Sequence, residues 1–393
     1  MKAKKIGIAD QFTYFRIFNS ENLKPMRNHT LQSFFAIVLF PVSLFFLNAC
    51  TKSAVTESSV APPTNPPAQD PALSKKWIVS TIAGSGSIGA ADGNGGSAEF
   101  FYPQNISMDL QGNLFVGDTH NFSIRKIDAT GQVSTYTNQT IGNPALIFGN
   151  IYGMVTDNQG NIFSVEYNII RKIVSPTNSF LFAGGLEITY RDGQDLNARF
   201  NLPANIAIDQ YGNMYLPDYD MSYKFQVRKV TPSGLVSSLS LVDNSGFPSD
   251  GDPNHNFLYS IAVDSAGNVF VSGNGGSVIR KINPFGVVSL FAGQGGLGFA
   301  DGKGAKAQFN NILGMTADGE GNIWVADGGN HSIRKITPDG TVSTIAGMGT
   351  AGFADGDGTQ AKFNYPFGIV IDKNGIVYVA DQQNQRIRKI EFK

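Results

Sequence analysis

The stretch GIVIDKNGIVYVADQQNQRIRKI, Gly368 to Ile390, decides the fold. Its first apolar run, IVID, ends in Asp372, and Gly375 follows three residues on. That spacing suits a tight turn closed by an aspartate side chain. A second run, IVYVAD, leads through a short polar loop into IRKI. Short apolar runs bounded by turn residues describe antiparallel strands rather than helices.

The same order of residues returns throughout the chain. IRKI or a close variant begins at Ile124, Ile170, Val227, Ile279, Ile333 and Ile387. The spacing, about 46 to 57 residues, falls in the range of propeller blades. Each copy is preceded by a turn aspartate: Asp109, Asp157, Asp209, Asp264, Asp318 or Asp372. After IRKI comes a glycine turn and a fourth strand, such as VSLFAG (Val288 to Gly293) or VSTIAG (Val342 to Gly347). The last copy stops after three strands, whereas WIVSTIAG, Trp77 to Gly84, stands alone before the first. One four-stranded unit cannot cover both its apolar faces, so units must stack and the ring must close. The expected fold is all-β: a six-bladed β-propeller of four-stranded antiparallel blades, closed by the N-terminal strand joining the last blade.

The wording of the quoted stretch resembles the NHL repeat family, and the resemblance covers Trp77 to Lys393. It implies the propeller fold. For function it implies only a range, because such propellers include enzymes, RNA-binding modules and protein-binding modules.

Ahead of the repeats, Arg27 and His29 precede the apolar run LQSFFAIVLFPVSLFFLNAC, which ends in Cys50. A basic start, an apolar stretch and a small residue before the cut describe a signal peptide over residues 1–49, with Met26 as an alternative start. Cys50 is the chain's one cysteine, and its setting resembles a bacterial lipobox. The resemblance implies lipid on Cys50 and a cell-envelope location, on the outer membrane or the outer side of the plasma membrane. Residues 50–76, rich in Ser, Thr, Pro and Ala, read as a flexible tether before the propeller at 77–393. Formal net charge is -1, with no basic run in the propeller, so no nucleic-acid partner is expected.

A residue required in every blade serves the blade. That reading covers the arginines of IRKI (Arg125, Arg171, Arg228, Arg280, Arg334, Arg388) and the turn aspartates. It extends to the loop aspartates Asp92, Asp192, Asp301 and Asp355, although their DG spacing leaves calcium as an alternative. Departures from the repeat are the better site candidates. Glu166 replaces the aspartate that ends the second strand elsewhere, as at Asp218. An insertion carries Tyr219 and Tyr223, and another brings Asp250, Asp252 and His255 close in sequence. Phe299 and Phe353 lie on loops of the same face. Glu166, Asp218, His120 and His331 are catalytic candidates for a metal-dependent lyase or lactone hydrolase. His120 and His331 occupy different offsets within their blades, which weighs against a zinc site. The preferred expectation is a monomeric, non-enzymatic binding module without a resident cofactor, taking a protein, peptide or carbohydrate at its loop face. Tyr219, Tyr223, Asp250, Asp252, His255, Phe299 and Phe353 are its expected contacts.

Overall fold

Six antiparallel sheets follow one another along the chain in a computed structural model that describes residues 75–138, 151–185, 187–222, 224–242, 260–273 and 275–393. The expected signal segment, Cys50 and the tether as far as residue 74 lie outside those residues. Within a blade the strands a to d run from the axis outward. Blade 1 comprises Pro103–Met108, Leu114–Asp118, Ser123–Ile127 and Gln132–Asn138. The inner strands of blades 2 to 6 are Ile151–Thr156, Ala207–Ile208, Ile261–Val263, Ile312–Ala317 and Pro366–Ile371. Each neighbours the next, and the last returns to the first, so the six-bladed ring is closed.

The closing blade takes strand d from the start of the propeller. Trp77–Ala83 pairs with Arg386–Phe392 in a register running from Trp77 opposite Phe392 to Ala83 opposite Ile387. Backbone bonds between Lys76 and Lys393 extend the pairing, with Lys393 N–H donating to Lys76 O at 2.9 Å. Trp77 packs against Phe392 at 4.9 Å and edge-on to Trp324 of blade 5 at 5.3 Å. The orphan strand thereby covers what would otherwise be a bare sheet edge.

Alternation along each strand sends apolar side chains into the layers between blades. Phe270, Phe309, Ile323 and Val325 fill the layer between blades 4 and 5, and Phe100, Val116, Ala380 and Ile387 that between blades 6 and 1. Burying such a side chain stabilises the fold by about 1.5–3 kcal/mol. Near the axis the inner strands come too close for side chains. A Cβ on Gly314 would lie 2.1 Å from Phe367 O, and one on Gly368 would lie 2.4 Å from Gln104 O. Glycine there lets neighbouring blades meet at the axis.

The turn aspartates close the a–b hairpins as expected. Asp109 Oδ1 accepts the N–H of Gln111 and of Asn113, while Asn113 Nδ2 donates to Oδ2. One feature exceeds the expected four strands. In blades 1, 3, 5 and 6 a two-residue strand caps the outer edge: Gly93–Asn94, Gly193–Gln194, Gly302–Lys303 and Gly356–Asp357.

This topology gives the ring two unlike faces. The a–b and c–d hairpin turns lie on one, the turn face. The b–c turns and the d-to-a connections lie on the other, the loop face. Because Trp77 opposes Phe392, both ends of the propeller chain sit on the turn face.

Candidate functional site

The loop face is organised from within by buried arginines. In blade 6, Arg388 Nη1 donates to Asp381 Oδ2 at 2.6 Å and to Lys362 O at 2.9 Å. Its Nη2 donates to Ala354 O at 2.7 Å and Asp355 Oδ1 at 2.6 Å. The guanidinium lies between Phe353 and Phe363, 4.9 Å from each ring centroid. Arg334 repeats the arrangement with Asp327, Asp301, Phe299 and Phe309. Arg228 does so with Asp218, Asp192, Tyr190 and Phe200. Arg125 binds Asp118 and Asp92 and has one ring, Phe100. Each cage pins an inter-blade loop to its blade by charge-assisted bonds from a buried guanidinium to one buried and one half-exposed carboxylate.

The buried carboxylates then position the backbone at the channel mouth. Asp118 Oδ1 accepts the N–H of Phe101 at 2.7 Å, Asp327 Oδ1 that of Asn310 at 2.8 Å, and Asp381 Oδ1 that of Asn364 at 2.8 Å. Burial pushes the carboxyls of Asp118, Asp218, Asp327 and Asp381 above the usual carboxylate range, against the pull of their hydrogen bonds and arginines.

Just beyond those anchors the backbone turns left-handed at residues other than glycine. Tyr102 (φ 56°) and Tyr365 (φ 60°) precede inner strands, whereas Phe122 (φ 50°), Tyr167 (φ 52°), His331 (φ 52°) and Gln385 (φ 53°) close b–c turns. Such a conformation disfavours bulky side chains and persists only where the surroundings enforce it. Two enforcing contacts run from blade to blade. Tyr365 N–H donates to His331 Nδ1 at 3.1 Å, and Tyr102 N–H donates to Gln385 Oε1 at 2.7 Å. Asn311 Nδ2 also donates to the Tyr365 hydroxyl.

These turns gather aromatic rings around blades 1 and 2. His120 packs edge-on to Phe101 at 4.8 Å and tilted against Tyr102 at 4.7 Å. Tyr152 meets Tyr167 edge-on at 6.1 Å. The two groups stand on neighbouring inner strands, joined by the bond from Asn105 Nδ2 to Ile151 O at 2.7 Å. Phe122 is 41% exposed and Tyr167 58%.

Several expected site residues have other work. Glu166 is 1% exposed and accepts both Nε and Nη2 of Arg171, at 2.9 and 3.0 Å, together with Ser164 Oγ. Asp218 is fully buried under Arg228 and three backbone N–H groups. Both carboxylates are thus buried and held by arginine in this structure. Tyr219, expected on an exposed loop, is 8% exposed and packs edge-on to Phe225, because it still belongs to strand b of blade 3. Phe299 and Phe353 each turn a ring face onto the cage arginines, and Phe353 also lies 3.9 Å from the Arg386 guanidinium. Each ring covers an arginine while remaining 40% (Phe299) and 45% (Phe353) exposed on the loop face. His120 and His331 belong to blades 1 and 5 and do not converge. Burial lowers the pKa of both. Tyr223, Asp250, Asp252 and His255 lie outside the described residues.

Among the described residues, no three His, Cys, Asp or Glu side chains stand close enough to hold a metal. The aspartates weighed for calcium are engaged elsewhere. Asp92 and Asp301, for example, accept from Arg125 and Arg334 and from Thr135 and Thr344. Sequence reasoning missed Tyr102, Phe122, Tyr152 and Tyr365. A signal existed for Phe122: it shares its place, four residues after the aspartate of strand b, with His331 and Gln385. A shared position filled differently in each blade marks a variable rim.

The NHL repeat family model matches residues 309–336 and 363–390, most of blades 5 and 6. The chain folds as an NHL-type β-propeller. Protein SUPPRESSOR OF QUENCHING 1, chloroplastic, of Arabidopsis thaliana is 26% identical across 79% of this chain and 27% of its own length. NHL repeat-containing protein 2 of Gallus gallus is 27% identical across 81% of this chain and 43% of its own length. The propeller chain thus spans less than half of either relative. Among solved structures, one described as an auxiliary nutrient binding protein from Bacteroides thetaiotaomicron aligns over 81% of this chain and 77% of its own, at TM-score 0.62 and 19% identity. A streptogramin B lyase and a gluconolactonase from Xanthomonas campestris align as well, each at 14% identity and TM-score 0.51, so the fold alone does not fix a chemistry.

Proposed function

We propose that the chain is an extracytoplasmic lipoprotein that uses the loop face of its NHL-type propeller as a non-enzymatic binding surface, for a protein, peptide or carbohydrate. One observation carries the reading. Around the channel mouth in blades 1, 2, 5 and 6 the ionisable carboxylates, Asp118, Glu166, Asp327 and Asp381, are at most 1% exposed and engaged by arginines. Aromatic rings and neutral amides are left to meet a ligand, which suits recognition better than acid–base or metal chemistry. The likeness to a nutrient-binding propeller supports a place at the cell envelope, and lipid on Cys50 would hold it there. The alternative, a metal-dependent lyase or lactone hydrolase at the channel mouth, draws on the lyase and gluconolactonase likenesses. It lacks converging ligands among the described residues.

Photo-crosslinking in cells tests the reading. A benzophenone amino acid at Phe122 on the loop face should yield adducts, whereas one at Leu110, exposed on the turn face, should not. Adducts from position 110 alone would move the binding surface to the other face. A stoichiometric metal in the purified full chain, found by elemental analysis, would favour the alternative.

A further inference from the structure

We propose that the aromatic arc of blades 1 and 2, comprising Phe101, Tyr102, His120, Phe122, Tyr152 and Tyr167, is a carbohydrate site for a neutral oligosaccharide. The inference deepens the proposed function and rests on it.

In blades 1, 2, 5 and 6, which carry and adjoin the arc, the charge of the rim selects the ligand class; the b–c turn of blade 3 differs, with Asp220 and an exposed Lys224. Segments 101–105, 118–122, 166–169, 309–313, 327–331, 363–368 and 381–385 border the channel mouth. Asp118, Glu166, Asp327 and Asp381 are their only Asp, Glu, Lys or Arg residues, and all four are sealed beneath the surface by arginines. A phosphate, a carboxylate or a charged peptide brought here would be desolvated without an opposite charge, which disfavours it. A neutral sugar needs no counter-charge. Its ring presents C–H faces to aromatic side chains and hydroxyl edges to amides, and the rim supplies both. Gln104 and Asn121 flank the rings of blade 1 in sequence, Asn121 with its Nδ2 already donating to Gly89 O and Asp118 so that only its Oδ1 is offered, and Asn168 follows Tyr167 directly.

The backbone carrying the rings is also held in advance. Tyr102, Phe122 and Tyr167 share left-handed backbone, fixed at Tyr102 by Gln385 Oε1 and beside it by Asp118 at Phe101 N–H. Backbone set before the ligand arrives loses little freedom on binding, which raises affinity for weak stacking contacts. Two aromatic groups on neighbouring inner strands suit a ligand of several linked sugar units rather than one.

The test is calorimetric titration of the purified full chain with maltohexaose, cellohexaose, xylohexaose and mannohexaose. An oligogalacturonate serves as the anionic probe and a tryptic digest of serum albumin as the peptide probe. At least one neutral hexaose is expected to bind. Tyr167→Ala and Phe122→Ala should each weaken it roughly three- to tenfold, the loss expected of one aromatic contact. Tyr167→Phe should retain it, and all variants should keep the parent unfolding midpoint, since both side chains project outward. Binding of a hexaose unmoved by these substitutions would remove the site from the arc. Binding of only the anionic or peptide probe, lost in Tyr167→Ala, would overturn the sugar while leaving the loop face as a binding surface. Binding of no probe would overturn the sugar assignment, and the absence of adducts at position 122 as well would overturn the binding surface itself.

Discussion

His331 offers its Nδ1 lone pair to the N–H of Tyr365, so this bond exists only while the imidazole is neutral. Burial holds the His331 pKa below its ordinary value of about 6.5. As pH falls through that value the unfolded chain binds a proton before the folded one does, so this group's contribution to stability declines with pH and levels off below the folded pKa. The buried Asp327 carboxyl, pushed upward, acts in the opposite sense over part of the same range. Gln385 makes the equivalent bond to Tyr102 without titrating. His331→Gln should therefore keep stability near neutrality and flatten its decline between pH 7.5 and 5, relative to the parent, in urea unfolding. Arg334 presents a second test at this scale. Replacing it with Met leaves Asp327 buried without its cation and removes one of the two donors to each of the Gln308 and Ala300 carbonyls. The expected loss is about 3–5 kcal/mol, read from the urea midpoint.

Among the elements, the strands were legible because each blade repeats the same demands. An aspartate must accept two turn N–H groups, a glycine must follow it, and an arginine must reach a loop, so the chain writes those residues into one blade after another. The two-residue edge strands left no such trace. Gly93–Asn94 and Gly302–Lys303 carry no apolar alternation, and only their pairing with strand d reveals them. The candidate site was legible only in part. Glu166 stood out as a substitution, yet its meaning lay in the length of a side chain that reaches Arg171 with both oxygens. Tyr102 and Tyr365 were hidden because what sets them apart is backbone conformation, which residue type does not announce. The inner strands supply a further prediction. Gly314→Ala would drive a methyl into the Phe367 carbonyl and pry blade 5 from blade 6, costing about 1–3 kcal/mol, measurable as a lowered urea midpoint without change in the far-ultraviolet spectrum at neutral pH.

For the molecule as a whole, the separation of faces matters most. Both ends of the propeller chain meet on the turn face, where Lys76 and Lys393 exchange backbone bonds. The described chain enters the propeller at Lys75, on the face opposite the proposed binding surface. Mass spectrometry of the mature protein should find a diacylglyceryl group on Cys50, and Cys50→Ala should release the protein from the membrane fraction.

The closing strand also determines how the ring bears a load. Trp77–Ala83 runs from the turn face to the loop face, antiparallel to its partner Arg386–Phe392. A pull between the N-terminal segment and a ligand held on the loop face is directed along that strand, so its hydrogen bonds with the partner share the force and resist together. A pull between the two chain ends acts across the same pair and opens it one bond at a time, starting from Lys76 and Lys393. The same closure is thus a shear joint toward a captured ligand and a zipper toward its own termini.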